Sequence, residues 1–275
     1  MPIVQVVVLA LIQGLAEFLP ISSTAHLIVA PWLLGWNDPG LTFDVALHVG
    51  TLIAVVAYFF RTWIQIILHA FGVDWGDDEM LRQNPRLLWL LALGTSPGAI
   101  IGFLFEKQAD TTLRSPILIA VMMIVLGLIM WAADHWGART KGLGAVSFLD
   151  SIVIGCAQAL AIIPGVSRSG ATITMGLFRN LDRVASARFS FLLATPIIAG
   201  AAAKKFYDVV KEGGIRPDMH MPFALGIAVS GITGLLVIAF LMRYLQHRSL
   251  NLFVYYRVIF GIIVIALAVA RPPAG

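Results

Sequence analysis

The amino-acid sequence predicts an all-α polytopic membrane protein, in which two repeats of opposite membrane orientation form a single domain, residues 1–275. Three observations lead to this fold class. Hydrophobic residues make up 59% of the chain and charged residues 12%, whereas soluble chains carry about 25% charged residues. Several apolar runs approach the roughly 20 residues that cross a bilayer. Two further apolar regions are each interrupted by proline, glycine and serine, and they resemble each other.

The predicted membrane spans fall into two groups by length. Four runs are long enough to cross the bilayer: residues 88–105, 116–133, 222–242 and 252–270. Two runs are slightly short but still suitable: residues 44–60 and 186–203. The interrupted regions are residues 3–34 and 149–180. Each half of an interrupted region has about 12–16 residues, which is too short to cross and typical of a re-entrant element.

The two interrupted regions align without gaps. "QGLAEFLPISSTAH" lies over "QALAIIPGVSRSGA" when residue 13 is set against residue 158, so that Gln13 matches Gln158 and Ser22 matches Ser167. The chain therefore reads as two repeats, about 1–148 and 149–275, each with a broken re-entrant hairpin followed by three spans. Because three is odd, the second repeat enters from the opposite face, and paired broken segments then mark a binding site at the midplane.

The distribution of charged residues predicts how the chain is oriented in the membrane and which classes of binding partner it can have. The first basic residue is Arg61, so the N-terminus lacks the charged start of a secretory signal and is interpreted as part of the mature fold. The bias of Lys and Arg places both termini outside. The net charge of +4 is spread over loops, and no nucleic-acid partner is expected. With Cys156 as the only cysteine, an internal disulfide and a cysteine metal cluster are excluded.

The residues that could bind a ligand or take part in a reaction lie at the two breaks. Irregular backbone at membrane depth must be buried in protein or line a wet cavity, so the two breaks should meet. The half-helices after them begin at serines, which are good N-caps, and their free N–H groups and positive dipole ends favour an anion, phosphate above all. Arg168 fits this hypothesis because its planar fork matches phosphate oxygens. The alternative is an architectural pairing of Arg168 with Glu17.

The first break adds acid–base groups. Gln13 and Glu17 are four residues apart and share a helix face, and Ser22 or Ser23 lies within reach of His26 on the following helix. A carboxylate, a hydroxyl, an imidazole and an arginine supply a nucleophile or base, a general acid and an electrostatic clamp. Glu17 alone is equally well explained as a packing residue or a coupling-ion site. His48 is interpreted as structural, although Asp44 lies four residues earlier.

These two elements together resemble a known family. An (E/Q)xxxE element is present as Gln13 and Glu17, and a PGxSRSxxT element as residues 164–172. On both motifs the chain closely resembles the undecaprenyl pyrophosphate phosphatases of the bacitracin-resistance type, over essentially its whole length. The resemblance implies hydrolysis of undecaprenyl pyrophosphate to undecaprenyl phosphate and inorganic phosphate, a divalent cation (Mg²⁺ or Ca²⁺), and an active site on the outer side of the bacterial cytoplasmic membrane.

The resemblance also implies roles for individual residues. The catalytic set would be Glu17, Ser23, His26 and Arg168, with Glu17 also holding the metal. The residues that bind substrate around them would be Gln13, Ser22, Thr24, Ser167, Ser169 and Thr172. The sequence leaves open whether Ser23 or His26 is the nucleophile, and Gln13 in place of Glu puts a mechanism with two metal-binding carboxylates in doubt.

A transporter is the competing class. Inverted repeats with discontinuous helices are more typical of transporters than of enzymes, so a lipid-carrier flippase or an anion transporter could bind with the same arginine and serines. The expected partners are the long-chain prenyl pyrophosphate and membrane lipids. A homodimer is compatible with the sequence.

Overall fold

The protein folds into a bundle of α-helices, as predicted. A computed structural model describes residues 1–37, 40–110, 113–211 and 214–270. Within these ranges no β-strand occurs, and an isolated bridge joins Lys141 to Leu181. The predicted fold class is therefore confirmed at the level of an all-α membrane protein. Residues 271–275, at the end of the predicted second repeat, lie outside the described residues.

The described residues contain twelve α-helices. Those of the first half are α1 Ile3–Ala16, α2 Ser23–Leu34, α3 Leu41–Tyr58, α4 Phe60–Ala70, α5 Glu79–Arg82, α6 Leu87–Asp110 and α7 Pro116–Trp136. Those of the second half are α8 Phe148–Ala159, α9 Arg168–Phe178, α10 Arg183–Lys211, α11 His220–His247 and α12 Asn251–Ala270.

The membrane spans follow the predicted ones closely. Five helical segments are long and apolar enough to cross; they are Leu87–Phe105, Pro116–Trp136, Arg183–Lys211, Pro217–His247 and Asn251–Ala270. The predicted span 44–60 is found in a bent pair, Thr42–Tyr58 with Phe60–Ala70, whose axes differ by 69°. Phe59 causes the bend, because its φ of −98° and ψ of 20° depart from helical values.

Both interrupted regions break where the sequence predicts. α1 ends at Ala16 and α2 begins at Ser23; α8 ends at Ala159, continues as a single 3₁₀ turn over Leu160–Ile162, and α9 begins at Arg168. Pro20 and Pro164 have no backbone N–H to continue a helix. In the second break, Gly165 adopts a φ of +96°, a conformation that side chains with a Cβ rarely reach.

Small residues bring the broken helices against the long ones. A Cβ on Gly14 of α1 would come within 2.8 Å of the Ser230 carbonyl of α11. In the other half, a Cβ on Gly155 of α8 would collide with the Gly94 carbonyl of α6. Such close approach of backbones is the common way in which helices associate in membranes. Each broken hairpin is thereby fixed to a long helix of the bundle.

A buried carboxylate secures the start of the second broken hairpin. Ser147 and Asp150 form a capping box at the N-terminus of α8, and Asp150 also accepts from Arg179 Nε at 2.7 Å and from Lys141 Nζ at 3.2 Å. Burial raises the pKa of Asp150, but the Ser147 hydrogen bonds and the two cations lower that pKa by more. The net pKa lies below the ordinary value.

Candidate active site at the two helix breaks

Two serines shape the breaks in the same way. Ser22 has a φ of +73° and Ser167 a φ of +70°, values in the sparsely populated left-handed region. Each side chain caps the helix that follows: Ser22 Oγ accepts from the Ala25 N–H at 3.4 Å, and Ser167 Oγ from the Gly170 N–H at 3.0 Å. Residues held in such conformations concentrate at functional sites, and both serines are more than nine-tenths buried.

Glu17 is the centre of the polar cluster. One carboxylate oxygen, Oε1, accepts from Arg168 Nη2 at 2.9 Å. The other oxygen, Oε2, accepts from Ser23 Oγ at 2.7 Å and from Gln13 Nε2 at 3.0 Å. His48 Nε2 lies 3.4 Å from the same Oε2. Arg168 is cationic and His48 becomes cationic when protonated. Their positive charge compensates the Glu17 carboxylate, whose side chain is only 4% exposed.

The Glu17–Arg168 contact joins the two breaks directly. Arg168 is the first residue of α9, and the Glu17 it meets directly follows α1. Ser169, next to Arg168, donates its hydroxyl to the Leu19 carbonyl of the first break at 3.2 Å. The prediction that the two breaks approach each other is confirmed, and the ion pair between Arg168 and Glu17 is the contact that the alternative interpretation expected. The Arg168 side chain is 20% exposed, so part of the side chain stays accessible.

His26 is positioned differently from the sequence-based expectation. Its Nδ1 donates to the Ser22 carbonyl at 2.7 Å, since a carbonyl can only accept. Its Nε2, 2.6 Å from the Tyr256 hydroxyl, is then the acceptor. The ring also packs against Phe260, with centroids 4.6 Å apart. The hydroxyl that reaches the imidazole therefore belongs to Tyr256, because Ser22 Oγ caps α2 and Ser23 Oγ donates to Glu17.

The remaining residues predicted to bind substrate lie at the starts of α2 and α9. Ser167 and Ser169 bring their hydroxyl oxygens to 3.3 Å. The Thr172 hydroxyl donates to the Arg168 carbonyl at 2.8 Å and lies 2.6 Å from Ser190 Oγ of α10, a position that holds α9 against α10. Thr24, in the first turn of α2, is exposed.

Three residues of the site were not assigned to it by the sequence-based prediction. His48, interpreted as structural, contacts Glu17, and its Nδ1 donates at 2.7 Å to the Asp44 backbone carbonyl. Tyr256 and Arg257 come from α12, which no local pattern connects to the breaks. The one available signal was an arginine within an apolar span, because an intramembrane charge normally implies a partner.

The side-chain oxygens at and beside Glu17 determine whether a metal ion could bind at this site. In the part of the chain that the structure describes, no group of three or more His, Cys, Asp or Glu side chains could hold a metal ion. Gln13 Oε1, however, is buried without a hydrogen-bond partner, and the Gln13 amide contacts Glu17. Mg²⁺ commonly binds through one or two carboxylates together with substrate phosphates. One carboxylate and one unpaired amide oxygen fit that pattern.

Known proteins resemble this chain over nearly its whole length. The sequence model of the family described as "Bacitracin resistance protein BacA" matches residues 6–263. A protein named undecaprenyl-diphosphatase from Pelotomaculum thermopropionicum is 48% identical over 271 residues, which are 98% of each chain. Proteins of the same name from Moorella thermoacetica and Gemmatimonas aurantiaca are 48% and 44% identical; the matches cover 97% and 98% of this chain, and 98% and 100% of theirs.

Proposed function

Because the chain belongs to the bacitracin resistance protein BacA family, we propose that it is an undecaprenyl-diphosphatase. It hydrolyses undecaprenyl pyrophosphate to undecaprenyl phosphate and inorganic phosphate, and so recycles the lipid carrier of cell-wall polymer synthesis. The observation that carries this proposal is the Glu17 carboxylate, which contacts a serine hydroxyl at one helix N-terminus and an arginine at the other.

The two breaks supply the binding of the pyrophosphate. α2 begins at Ser23, whose hydroxyl contacts Glu17, and α9 begins at Arg168, which contacts the same carboxylate. Helix N-termini favour phosphate. Arg168 contributes positive charge and further donors to the oxygens of the terminal phosphate. The predicted binding residues Gln13, Ser22, Thr24, Ser167, Ser169 and Thr172 belong to the same two segments. This grouping supports their assignment to the substrate site.

Ser23 is the nucleophile of the proposed reaction. Its hydroxyl already donates to Glu17 Oε2 at 2.7 Å, which is the nucleophile–base contact that such chemistry requires. Ser23 Oγ attacks the terminal phosphorus, its proton passes to Glu17, and the bridging P–O bond breaks to release undecaprenyl phosphate. Arg168 stabilises the charge on the phosphoryl oxygens as it spreads in the transition state.

Water completes the cycle by hydrolysing the phosphoserine. In the neutral ring, His26 Nε2 carries no proton when Nδ1 donates to the Ser22 carbonyl. It can then accept the proton of the attacking water once the Tyr256 hydroxyl is displaced. Phosphate then leaves and Ser23 regains its proton from Glu17. In the alternative assignment, His26 Nε2 attacks phosphorus itself.

A divalent cation, Mg²⁺ or Ca²⁺, belongs to the same proposal. Glu17 and the unpaired Oε1 of Gln13 would hold it. When bound, the cation supplies charge neutralisation for the pyrophosphate oxygens.

The repeat architecture is proposed on the symmetry of the two breaks. Equivalent serines cap both re-entrant helices with left-handed backbone, and equivalent glutamines, Gln13 and Gln158, are both buried. α1 packs on α11 of the second half, while α8 packs on α6 of the first. These exchanges support two repeats of inverted topology, each with a re-entrant hairpin and three spans.

The location is proposed from the relatives and the charge distribution. All the named relatives are bacterial, and residues 1–60 contain no Lys or Arg, which favours an outer position for the N-terminus. We therefore propose the cytoplasmic membrane as its location, with the site open to the outer side. A homodimer is part of the same proposal and is tested by the mass of the detergent-solubilised protein.

Phosphate release tests the function. Purified protein with undecaprenyl pyrophosphate and Mg²⁺ is expected to release one phosphate per lipid, and Glu17→Gln to lose nearly all of this activity. A wild-type protein that binds the lipid and moves it across vesicles without releasing phosphate would instead be a lipid-carrier flippase. Binding of free phosphate or pyrophosphate alone, without turnover, would favour an anion transporter.

A further inference from the structure

A buried arginine connects the two breaks through hydrogen bonds to their backbone carbonyls. Arg257 lies in α12 and is 0% exposed. Its guanidinium donates to five backbone carbonyls: Met122 at 3.3 Å, Met123 at 3.0 Å, Pro20 at 3.1 Å, Gly165 at 2.7 Å and Val166 at 3.3 Å. An arginine buried in this way is costly unless its donors are satisfied. The carbonyls satisfy it and belong to three separate segments of the chain.

Two of these acceptors hold equivalent places in the two breaks. Pro20 aligns with Gly165 in the gap-free alignment of the two interrupted regions. Each lies two residues before the serine that caps the following helix, Ser22 or Ser167. Nη1 of Arg257 binds the first carbonyl and Nη2 binds the second. One planar group therefore fixes the separation of two matching points, since the geometry of the guanidinium is rigid.

The neighbouring helix is built to admit this side chain. Gly127 of α7 faces Arg257, and a Cβ at position 127 would lie 3.3 Å from Arg257 Cβ and 3.7 Å from Nε. The α7 carbonyls of Met122 and Met123 then accept from the guanidinium. The preceding residue, Tyr256, donates to His26. α12 thus reaches both the imidazole and the backbone beneath the phosphate site.

We infer that Arg257 is a positioning residue for the reaction, one that sets the distance between the N-termini of α2 and α9 and so between Ser23 and Arg168. This inference rests on the proposed phosphatase function. Arg257 acts through the backbone of the breaks and needs no contact with substrate. Misplacement of reacting groups by about 1 Å can cost roughly 10²-fold in rate, so its loss should lower turnover far more than substrate affinity.

Two substitutions separate positioning from folding. Arg257→Met keeps the length and removes all donors; we expect kcat to fall about 100-fold while KM for the prenyl pyrophosphate changes less than about threefold. Arg257→Lys retains three donors on one nitrogen and should recover part of the rate, falling about tenfold below wild type. Arg183→Met is the matched control, because Arg183 pairs with Asp134 at 2.6 Å and lies outside the breaks. It should lower the unfolding temperature but keep kcat of the folded protein within about twofold.

A measurement without turnover completes the test. In a Cys156→Ser background, Val166→Cys places a thiol at a buried position of the second break. Its alkylation by a maleimide should be slow with Arg257 present, at least about tenfold faster with Arg257→Met, and unchanged with Arg183→Met. Equal alkylation rates with and without Arg257 would overturn the inference, as would an Arg257→Met or Arg257→Lys protein with wild-type kcat. A wild-type protein that releases no phosphate would refute the proposed function instead, and the alkylation result would still decide the role of Arg257.

Discussion

The Tyr256 hydroxyl lies 2.6 Å from Nε2 of His26. In the neutral ring this nitrogen has no proton, because Nδ1 donates to the Ser22 carbonyl. The reactive lone pair of the histidine is thus covered by a phenol from the last helix. Any substrate or water that uses this nitrogen must displace the phenol, and the same phenol orients the ring until then.

Removing that hydroxyl should have a moderate effect. Tyr256→Phe deletes one hydrogen bond, worth about 1 kcal/mol, and we expect kcat to fall roughly fivefold with little change in the unfolding temperature. Steady-state phosphate release measures this. A loss as complete as that of His26→Ala would mean that Tyr256 takes part in the chemistry directly. Tyr255, exposed on the same helix, provides the control as Tyr255→Phe, which should keep the wild-type rate.

The nucleophile can be identified by the chemistry of the trapped intermediate. If Ser23 attacks phosphorus, rapid quenching with a labelled terminal phosphate should give a phosphoenzyme that is stable in acid and labile in alkali. Ser23→Ala should abolish the label, and His26→Ala should accumulate it, since the imidazole activates the hydrolytic water. Label that is labile in acid and persists in Ser23→Ala would assign the attack to His26. Both single variants should lose nearly all turnover.

Arg168→Lys separates geometry from charge. Lysine keeps the positive charge beside Glu17 but replaces a planar fork with a point charge. The loss of a well-placed donor to developing charge costs about 2.7–4 kcal/mol, or roughly 10²–10³ in turnover. We expect kcat to fall in that range, while KM, set mainly by the lipid tail, changes less. Turnover within a few-fold of wild type would show that Arg168 only balances the charge of Glu17.

Gln13 should control the affinity for the divalent cation. Gln13→Leu removes the unpaired Oε1 and the donor to Glu17. After treatment with a chelator, the concentration of Mg²⁺ that restores half of the activity should rise by about 10- to 100-fold, as for other residues that support metal ligands. Gln13→Glu should keep that concentration close to wild type or lower it. An unchanged requirement in Gln13→Leu would exclude Gln13 from the cation site.

Asp150 should affect stability and its dependence on pH. Its folded-state pKa is depressed by Ser147, Arg179 and Lys141, so its contribution is complete above the unfolded value of about 3.9 and is lost as pH falls below it. Asp150→Asn should lower the unfolding temperature at pH 7, because Arg179 and Lys141 lose their common partner. The difference from wild type should shrink below about pH 4. A difference that is constant down to pH 3 would contradict this account.

The sequence predicted best what depends on local composition. Apolar length located the spans, and proline, glycine and serine located both breaks within a few residues. The rule that broken backbone in a membrane has to be buried against protein also predicted that the two breaks meet.

Contacts between distant helices were not predictable in this way. Tyr256 and Arg257 reach the site through the packing of α12 on α7, and an apolar helix carries little information about its neighbours. His48 was interpreted as structural, yet its Nδ1 donates to the Asp44 backbone carbonyl and its Nε2 lies 3.4 Å from Glu17 Oε2. The bend at Phe59 was missed because neither proline nor glycine marks it.

The close contact of Gly14 with α11 has a consequence for biogenesis. α1 is translated before the other helices of the described residues, and its packing partner α11 is translated second to last among them. The Pro20 carbonyl likewise has no hydrogen bond from Arg257 until α12 has been translated. During most of synthesis the first hairpin therefore has open backbone groups that lipid cannot satisfy. Its final insertion must come after translation of the second half, so truncation of α11 or α12 should expose the first hairpin to quality-control proteases.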